Sequence, residues 1–332
     1  MELHPDAQQL LLNSIAPSTK VTYDTALRCY KKYCLMALPA YNVGLSLLPP
    51  LTEEILMNFS SHCHNYLRLS YSTIKLYLCG LKFHYNIMGV PLPLFINFTR
   101  LQLLLRGIKR TSSHTRPQRL PITGNILFVL CSKLDTGVFS PFLDKMLKAV
   151  FVTAFFGFLR CAEFTCGDIF DPDYNLCVSD ISLNEEPALL KLKQSKTDPF
   201  RQGVFIKLFC TGTAICPRCQ LINYLSIRNH YVPIKTHKDP LFVLSDGSAL
   251  SRSTFLKMFK QTFQVANLPL DNYTGHSFRI GAATSSAATM CIGDHMIKVL
   301  GRWKSDSYCR YIQTPTSALH SAQMALAKTC VR

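Results

Sequence analysis

Between Tyr273 and Thr316 the 332-residue chain gathers His276, Arg279, Arg302, Trp303, Tyr308 and Tyr311. Most residues between them are small or apolar, with Gly and Pro as punctuation, so basic and phenolic groups stand on a close-packed frame. His276 and Arg279 are three apart at the start of a predicted helix and so project from one face. A phenol with a pKa of about 10 is a poor nucleophile until cations stabilise its oxyanion and a base takes its proton. Two guanidiniums can fork onto the non-bridging oxygens of a phosphate and neutralise the charge that a metal neutralises elsewhere. The chemistry these residue types point to is attack of a tyrosine on a phosphate, with no cofactor and no metal expected.

Other groups must reach that stretch from a distance. Arg160 closes a helix predicted over Pro141–Arg160, apolar nearly all round from Phe151 to Phe158, and Glu163 follows three residues later. Lys196 sits in the turn QSKTDPFRQG between two predicted antiparallel strands, Ala188–Lys193 and Val204–Phe209, where a lysine can protonate a departing oxygen. Asp294 is expected to cap a short helix through Leu300, and Gly301 to end it as a C-terminal cap. Ser305 and Asp306 should start another helix, with Tyr308 and Tyr311 on nearly the same face. Either Tyr308 or Tyr311 could be a core residue with a satisfied hydroxyl or the attacking phenol.

Upstream, helices are predicted over Ser18–Ala37, Ser72–Met88 and Thr99–Lys109, each with apolar residues at three- and four-residue spacing and lysines or arginines on the other side, and another from Thr52, opened by that cap with Glu53 and Glu54 in its first turn. They read as a small helical bundle with a basic side, although any single lysine there is adequately explained as a solvated surface group. TSSHTRPQRLPIT, Thr111 to Thr123, has no apolar period and reads as a linker. Leu241–Leu244 reads as a short strand and Ser251–Ala266 as an amphipathic helix exposing Arg252, Lys257 and Lys260. Cys216 and Cys219 flank Pro217 at a helix start. A zinc finger would need a second ligand pair, and His230 and His237 miss the finger spacing, so the two cysteines read as ordinary thiols.

A formal charge of +16, with no acidic tail, favours a polyanionic partner, and nucleic acid is the commonest inside cells. The longest apolar stretch, Ala149–Leu159, is far short of the roughly 18 residues a membrane span needs. The first residues carry no secretory pattern, and the 14 cysteines have no framework spacing, so a reduced compartment is expected, the nucleus or the cytoplasm before import.

The set resembles the tyrosine recombinase, or phage-integrase-type, family over nearly the whole chain. Arg160-Cys161-Ala162-Glu163 looks like the family's first arginine with its acidic partner, Lys196 like its hairpin lysine, His276-Ser277-Phe278-Arg279 like its HxxR box, and Tyr311 like its nucleophile. Leu300-Gly301-Arg302-Trp303 looks like the next box, where the family commonly has His or Trp after the Leu-Gly pair; Arg302 matches by position and Trp303 by its indole. GHSFRIGAAT, LGRW and RYI are most similar to recombinases of DIRS and Ngaro mobile elements. The resemblance implies a mainly α fold with a small antiparallel β-sheet: a helical, SAM-like core-binding domain over 1–110, a linker over 111–123 and a catalytic domain over 124–332. It implies cleavage and rejoining of double-stranded DNA through a 3′-phosphotyrosyl link, with dimers or tetramers forming on the DNA. A terminal helix, Ser317–Lys328, is expected to dock on a neighbouring protomer or on its own domain. Two other readings share the residues: an idle, element-derived DNA-binding or regulatory protein, and a type IB topoisomerase-like enzyme.

Overall fold

Apolar residues at helical spacing build the first of two units into which the chain divides, residues up to 116 and from 117 onward. The computed structural model describes residues 4–37, 49, 51–90, 98–112, 118–195, 198, 200, 202–289 and 292–314, and beyond these 316, 319, 320, 323, 324 and 327. Lys196 therefore lies outside the described residues, as does most of the expected terminal helix. No helix among the described residues is long and apolar enough to cross a membrane.

The first unit holds α1 (Pro5–Leu12), α2 (Pro17–Ala37), α3 (Glu53–Asn65), α4 (Tyr71–Ile87) and α5 (Thr99–Thr111). Thr52 caps α3 by accepting the Ile55 N–H, with Glu53 and Glu54 at the positive end of the helix dipole. Ala26, Tyr30 and Cys34 of α2, Leu56 of α3, and Ile74, Leu78, Leu81 and Tyr85 of α4 are buried, as the spacing predicts, while Tyr23, Leu27 and Tyr77 are half-buried. Lys75, Arg106, Lys109 and Arg110 are exposed. Helix α1 was not anticipated, and it buries no residue, which is why no apolar period marks it.

The second unit is built on α7 (Pro141–Phe156), whose residues from Met146 to Phe155 are all buried. Around it lie α6 (Gly124–Asp135), α8 (Cys161–Phe164), α9 (Pro217–Tyr231), α10 (Arg252–Val265), α11 (Ser277–Ala288) and α12 (Asp294–Leu300). Phe151 meets Phe278 of α11 at a ring separation of 5.1 Å and, edge-on, Phe255 and Phe259 of α10 at 6.1 Å each, so α7, α10 and α11 share one aromatic core. Strands β1 (Ile181–Ser182), β2 (Ala188–Leu192) and β3 (Val204–Leu208) form an antiparallel sheet in that order, Leu190 facing Ile206.

Several expectations need correcting. Helix α7 stops at Phe156, four residues short of Arg160, because Phe158 turns left-handed at φ 49°. Arg160 instead starts α8. Leu241–Leu244 forms no strand; Val243 and Ala249 make only an isolated bridge. The N-cap of α12 is Gly293, with Asp294 in the first turn. Residues 120–123, read as linker, are part of the second unit: Leu120 donates to the Asn272 carbonyl, and Ile122, fully buried, donates to that of Ser277.

That pinned segment explains one small residue of α11. A Cβ on Gly281 would stand 1.7 Å from the Ile122 carbonyl oxygen, which is backbone and cannot rotate aside. Gly281→Ala should therefore destabilise the second unit by about 3 kcal/mol, read by urea unfolding. Gly107→Ala on the exposed side of α5, where nothing lies within 4 Å, should be neutral or stabilise the first unit by up to about 1 kcal/mol.

Candidate active site

The turn between α7 and α8 is where the distant groups meet. Its tight path leaves the Gly157 and Phe158 carbonyls facing inward as acceptors. Arg302 donates through Nη1 to the Gly157 carbonyl at 2.7 Å and through Nη2 to that of Phe158 at 3.3 Å; Arg279 Nη1 also donates to Phe158. Arg160, at the N-cap of α8, is held by Glu163 of the same turn. Glu163 Oε2 accepts the Arg160 backbone N–H at 2.8 Å, and Oε1 accepts Arg160 Nη1 at 2.8 Å. Arg302 Nη2 comes to Glu163 Oε2 at 2.9 Å. One buried carboxylate thus serves two guanidiniums that arrive from positions far apart in sequence.

Among the described residues, no carboxylate pairs with Arg279. It is fully buried, donates through Nη2 to the Gly301 carbonyl, and stacks its guanidinium carbon 4.3 Å from the centre of the Trp303 ring. Burial first, then the charges of Arg160 and Arg302, pull its pKa down to about 9. The Nε atoms of Arg279 and Arg302 are buried and make no hydrogen bond. Three guanidiniums against one carboxylate leave an excess of two positive charges, two of the three arginines retaining an unused donor.

Arg302 and Trp303, neighbours in sequence, take different places at the site. Arg302 takes a left-handed backbone, φ 56°, and this turns its side chain onto Glu163 and the α7–α8 turn. The left-handed residue thus falls one place after Gly301, which ends α12 at φ −82°. Gly301 is needed for a different reason: a Cβ there would lie 1.6 Å from the Trp303 ring. Trp303 is 7% exposed and packs edge-on to Phe158 at 6.1 Å, beneath Arg279.

The two candidate tyrosines are separated by environment. A 3-10 helix over Asp306–Arg310, in place of the expected α-helix, carries Tyr308 and ends just before Tyr311. Tyr308 is buried; desolvation, helped by Cys309 and Asp294, raises its phenol to about 12, which makes its oxyanion harder to form. Tyr311 is only partly buried, with its ring 5.3 Å from Trp303 and 5.8 Å from the Arg279 guanidinium. Thr284 of α11 donates to its carbonyl at 3.1 Å, tying the tyrosine segment to the helix that carries Arg279.

His276, at the N-cap of α11, is half-buried. Burial, then the charges of Arg119, Arg252, Arg160 and Arg279, hold its imidazole below the ordinary value of 6.5. Arg119 and Arg252 were missed from the sequence as site residues, one assigned to a linker and the other to a solvated helix face. Arg252 is placed by its backbone N–H, which donates to the Cys166 carbonyl at 2.9 Å, next to the end of α8. Only the Ser251 cap hints at this, since it fixes where α10 begins.

The structure thus brings Arg160, Glu163, Arg279, Arg302, Trp303 and Tyr311 together, with His276 within reach of the same charges. Of the hairpin, Lys193 is described, and its ammonium is bound by Asp180 at 2.6 Å and by the Pro172 carbonyl at 2.6 Å. That lysine is fully engaged in holding the sheet to the Val178–Asp180 turn. No cluster of metal-ligating groups among the described residues lies at this site.

No family model matches the chain, and no curated protein matches it by sequence. Among solved structures it is similar to the XerH site-specific recombinase bound to palindromic difH substrate, at 19% identity and a TM-score of 0.60, covering 91% of this chain and 78% of that one. It is similar to the Tn1549 transposon integrase in complex with transposon right end DNA, at 14% identity and 0.58, covering 93% and 99%. A lambda integrase dimer bound to a COC′ core site matches at 15% identity and 0.54, covering 95% and 97%. The chain, mainly helical with one small three-stranded antiparallel sheet, has the fold of tyrosine recombinase catalytic domains.

Proposed function

We propose that the protein cleaves and rejoins double-stranded DNA through a covalent tyrosine link, in recombination or integration of a mobile element of the DIRS or Ngaro kind. The observation that carries this is the convergence of Arg160, Arg279 and Arg302 beside Tyr311, with a single carboxylate among them, on a recombinase fold. A scissile phosphate entering the site supplies the missing negative charge and takes the unused guanidinium donors.

Tyr311 Oη attacks phosphorus as its proton passes to a base, for which His276 is suited because its lowered pKa keeps it neutral at pH 7. The O–P bond to tyrosine forms as the P–O5′ bond breaks, and Lys196 gives a proton to the departing 5′ oxygen. One phosphodiester replaces another, so rejoining is the reverse step and needs no nucleotide. The first unit, with its exposed Lys75, Arg106 and Arg110, serves as the core-binding domain, and self-association on DNA brings the second strand partner. The reaction is placed in the nucleus.

A nicked suicide duplex, drawn from a library of element-terminal sequences, tests the reading. Wild-type protein should form a covalent adduct that Tyr311→Phe abolishes and Tyr308→Phe retains. Arg160→Ala and Arg279→Ala should lose the adduct while largely keeping duplex binding, and that binding should fall steeply with salt. Duplex binding with no adduct on any substrate would favour the idle, element-derived reading, and an adduct surviving Tyr311→Phe would overturn the assignment of the nucleophile.

Removing the carboxylate that two arginines share should be costly. Glu163→Gln should destabilise the second unit by about 3 kcal/mol in urea at low salt. Added duplex should stabilise this variant more than it stabilises the wild type, because the bound phosphate stands in for the lost charge.

His276 gives a pH signature. Its folded pKa lies below 6.5, so the unfolded chain binds the proton more readily. The group therefore favours the fold above pH 6.5, and that contribution is lost as pH falls below 6.5 through the folded value. In an NMR titration its ring resonance should show a midpoint below 6.5 in the free protein, moving up on duplex binding or in Arg252→Ala. A midpoint at or above 6.5 in the free protein would contradict the electrostatic account.

A further inference from the structure

Three cysteines meet at the other end of the sheet from the Lys196 turn. Cys210 follows β3, and Cys216 and Cys219 open α9. The Cys210 sulfur is 3.8 Å from that of Cys219 and 3.7 Å from that of Cys216, and all three lie within 4.8 Å of one another. A disulfide needs its sulfurs about 2.05 Å apart, so these separations are not those of a bonded pair. They are, however, the edge of a tetrahedron of thiolates around zinc: a Zn–S bond of about 2.3 Å gives a sulfur–sulfur edge of about 3.8 Å.

The backbone supports the same arrangement. Cys216 is fully buried, and its sulfur accepts the N–H of Thr211 at 3.3 Å and of Cys219 at 3.5 Å, donors that favour sulfur as a thiolate. Gly212, at φ 66°, reverses the chain between Cys210 and Cys216, and the Cys216 N–H closes that loop on the Thr213 carbonyl at 3.0 Å. Glu186 accepts the Cys210 N–H at 3.0 Å and so holds the third sulfur in place. In the sequence only the Cys216–Cys219 pair has ligand spacing; Cys210 joins it because the loop folds back, a contact no linear pattern reveals.

We propose that Cys210, Cys216 and Cys219 bind a zinc ion, as a three-thiolate site whose fourth position, with no further ligand among the described residues, is taken by water or another small ligand. The ion joins the end of β3 to the start of α9 and is separate from the DNA chemistry proposed above, so either can fail without the other. Zinc is favoured over magnesium or calcium because all three donors are sulfur.

The test uses the full-length protein, reduced and freed of metal. One equivalent of zinc should bind, measured by competition with a chromogenic chelator, and should protect Cys210, Cys216 and Cys219 from alkylation as read by peptide mass. Cobalt in place of zinc should give a sulfur-to-metal charge-transfer band with tetrahedral ligand-field bands. Cys210→Ser should weaken zinc binding by more than about 100-fold, since changes merely outside the ligand shell already cost 10–100-fold. Cys79→Ser, at an exposed thiol of α4, should leave it unchanged. Equal alkylation of the three thiols with and without zinc, protection of other cysteines instead, or a cobalt spectrum lacking the sulfur band would overturn the proposal, and these readouts on wild-type protein hold even if a variant fails to fold.

Discussion

Among the described residues, Glu163 is the one carboxylate that pairs with any of the three converging guanidiniums, and the geometry of the second unit depends on how those charges are accommodated. Two of them, Arg160 and Arg302, share its two oxygens. The third, Arg279, is out of water altogether and rests on carbonyl dipoles and an indole face. Burying a cation without a counter-ion is expensive, and a fold that does so has either a compensating anion or a ligand that brings one. The depressed pKa of Arg279 records that cost. Among the described residues, Arg279 thus carries a buried charge that no carboxylate offsets, which favours an anion beside it.

The same constraint explains why packing and chemistry cannot be separated here. Arg302 donates to the carbonyls of Gly157 and Phe158, and Arg279 to that of Phe158; these carbonyls face inward because α7 ends early in a left-handed turn. The core that sets where α7 ends is aromatic: Phe151 against Phe255, Phe259 and Phe278. Phe278 lies next to Arg279 on α11, and Gly281 one turn further lets α11 press on Ile122.

The elements with a strong period were legible in the sequence: α2, α4 and α5 of the first unit, the two long strands of the sheet, and α10, each within a residue or two of its observed ends, and the start of α3 at Thr52. The residue types of the site were legible too, because His276, Arg279, Arg302 and Tyr311 lie in one short stretch. What was not legible depends on contacts between distant positions. Helix α7 was extended to Arg160 because its apolar run continues through Phe158, and only the left-handed turn shows where it stops. Arg119 and Arg252 look like solvated cations until backbone hydrogen bonds from Leu120 and Arg252 itself place them. Cys210 stands six residues from Cys216, a spacing with no meaning until the loop is closed. The expected α-helix carrying both tyrosines is a 3-10 turn that ends between them, and this difference puts one phenol in the core and leaves the other partly open.

In the Leu-Gly-Arg-Trp segment a single backbone choice sends the two neighbouring side chains to different places. A left-handed conformation at a residue with a Cβ costs roughly 1–2 kcal/mol. If Gly301 took that conformation instead, Arg302 would not be turned toward Glu163, and the Trp303 ring would lose the space over Gly301 that it now fills. With the strain at Arg302, the guanidinium gains a buried ion pair and two carbonyl acceptors, each a charge-assisted bond stronger than an ordinary one. The indole meanwhile becomes the surface on which Arg279 and Tyr311 are aligned. An arginine at this position therefore adds positive charge where a neutral ring would add only a hydrogen bond. Because Arg160 and Arg302 both lean on Glu163, the three guanidiniums keep a net positive charge among the described residues.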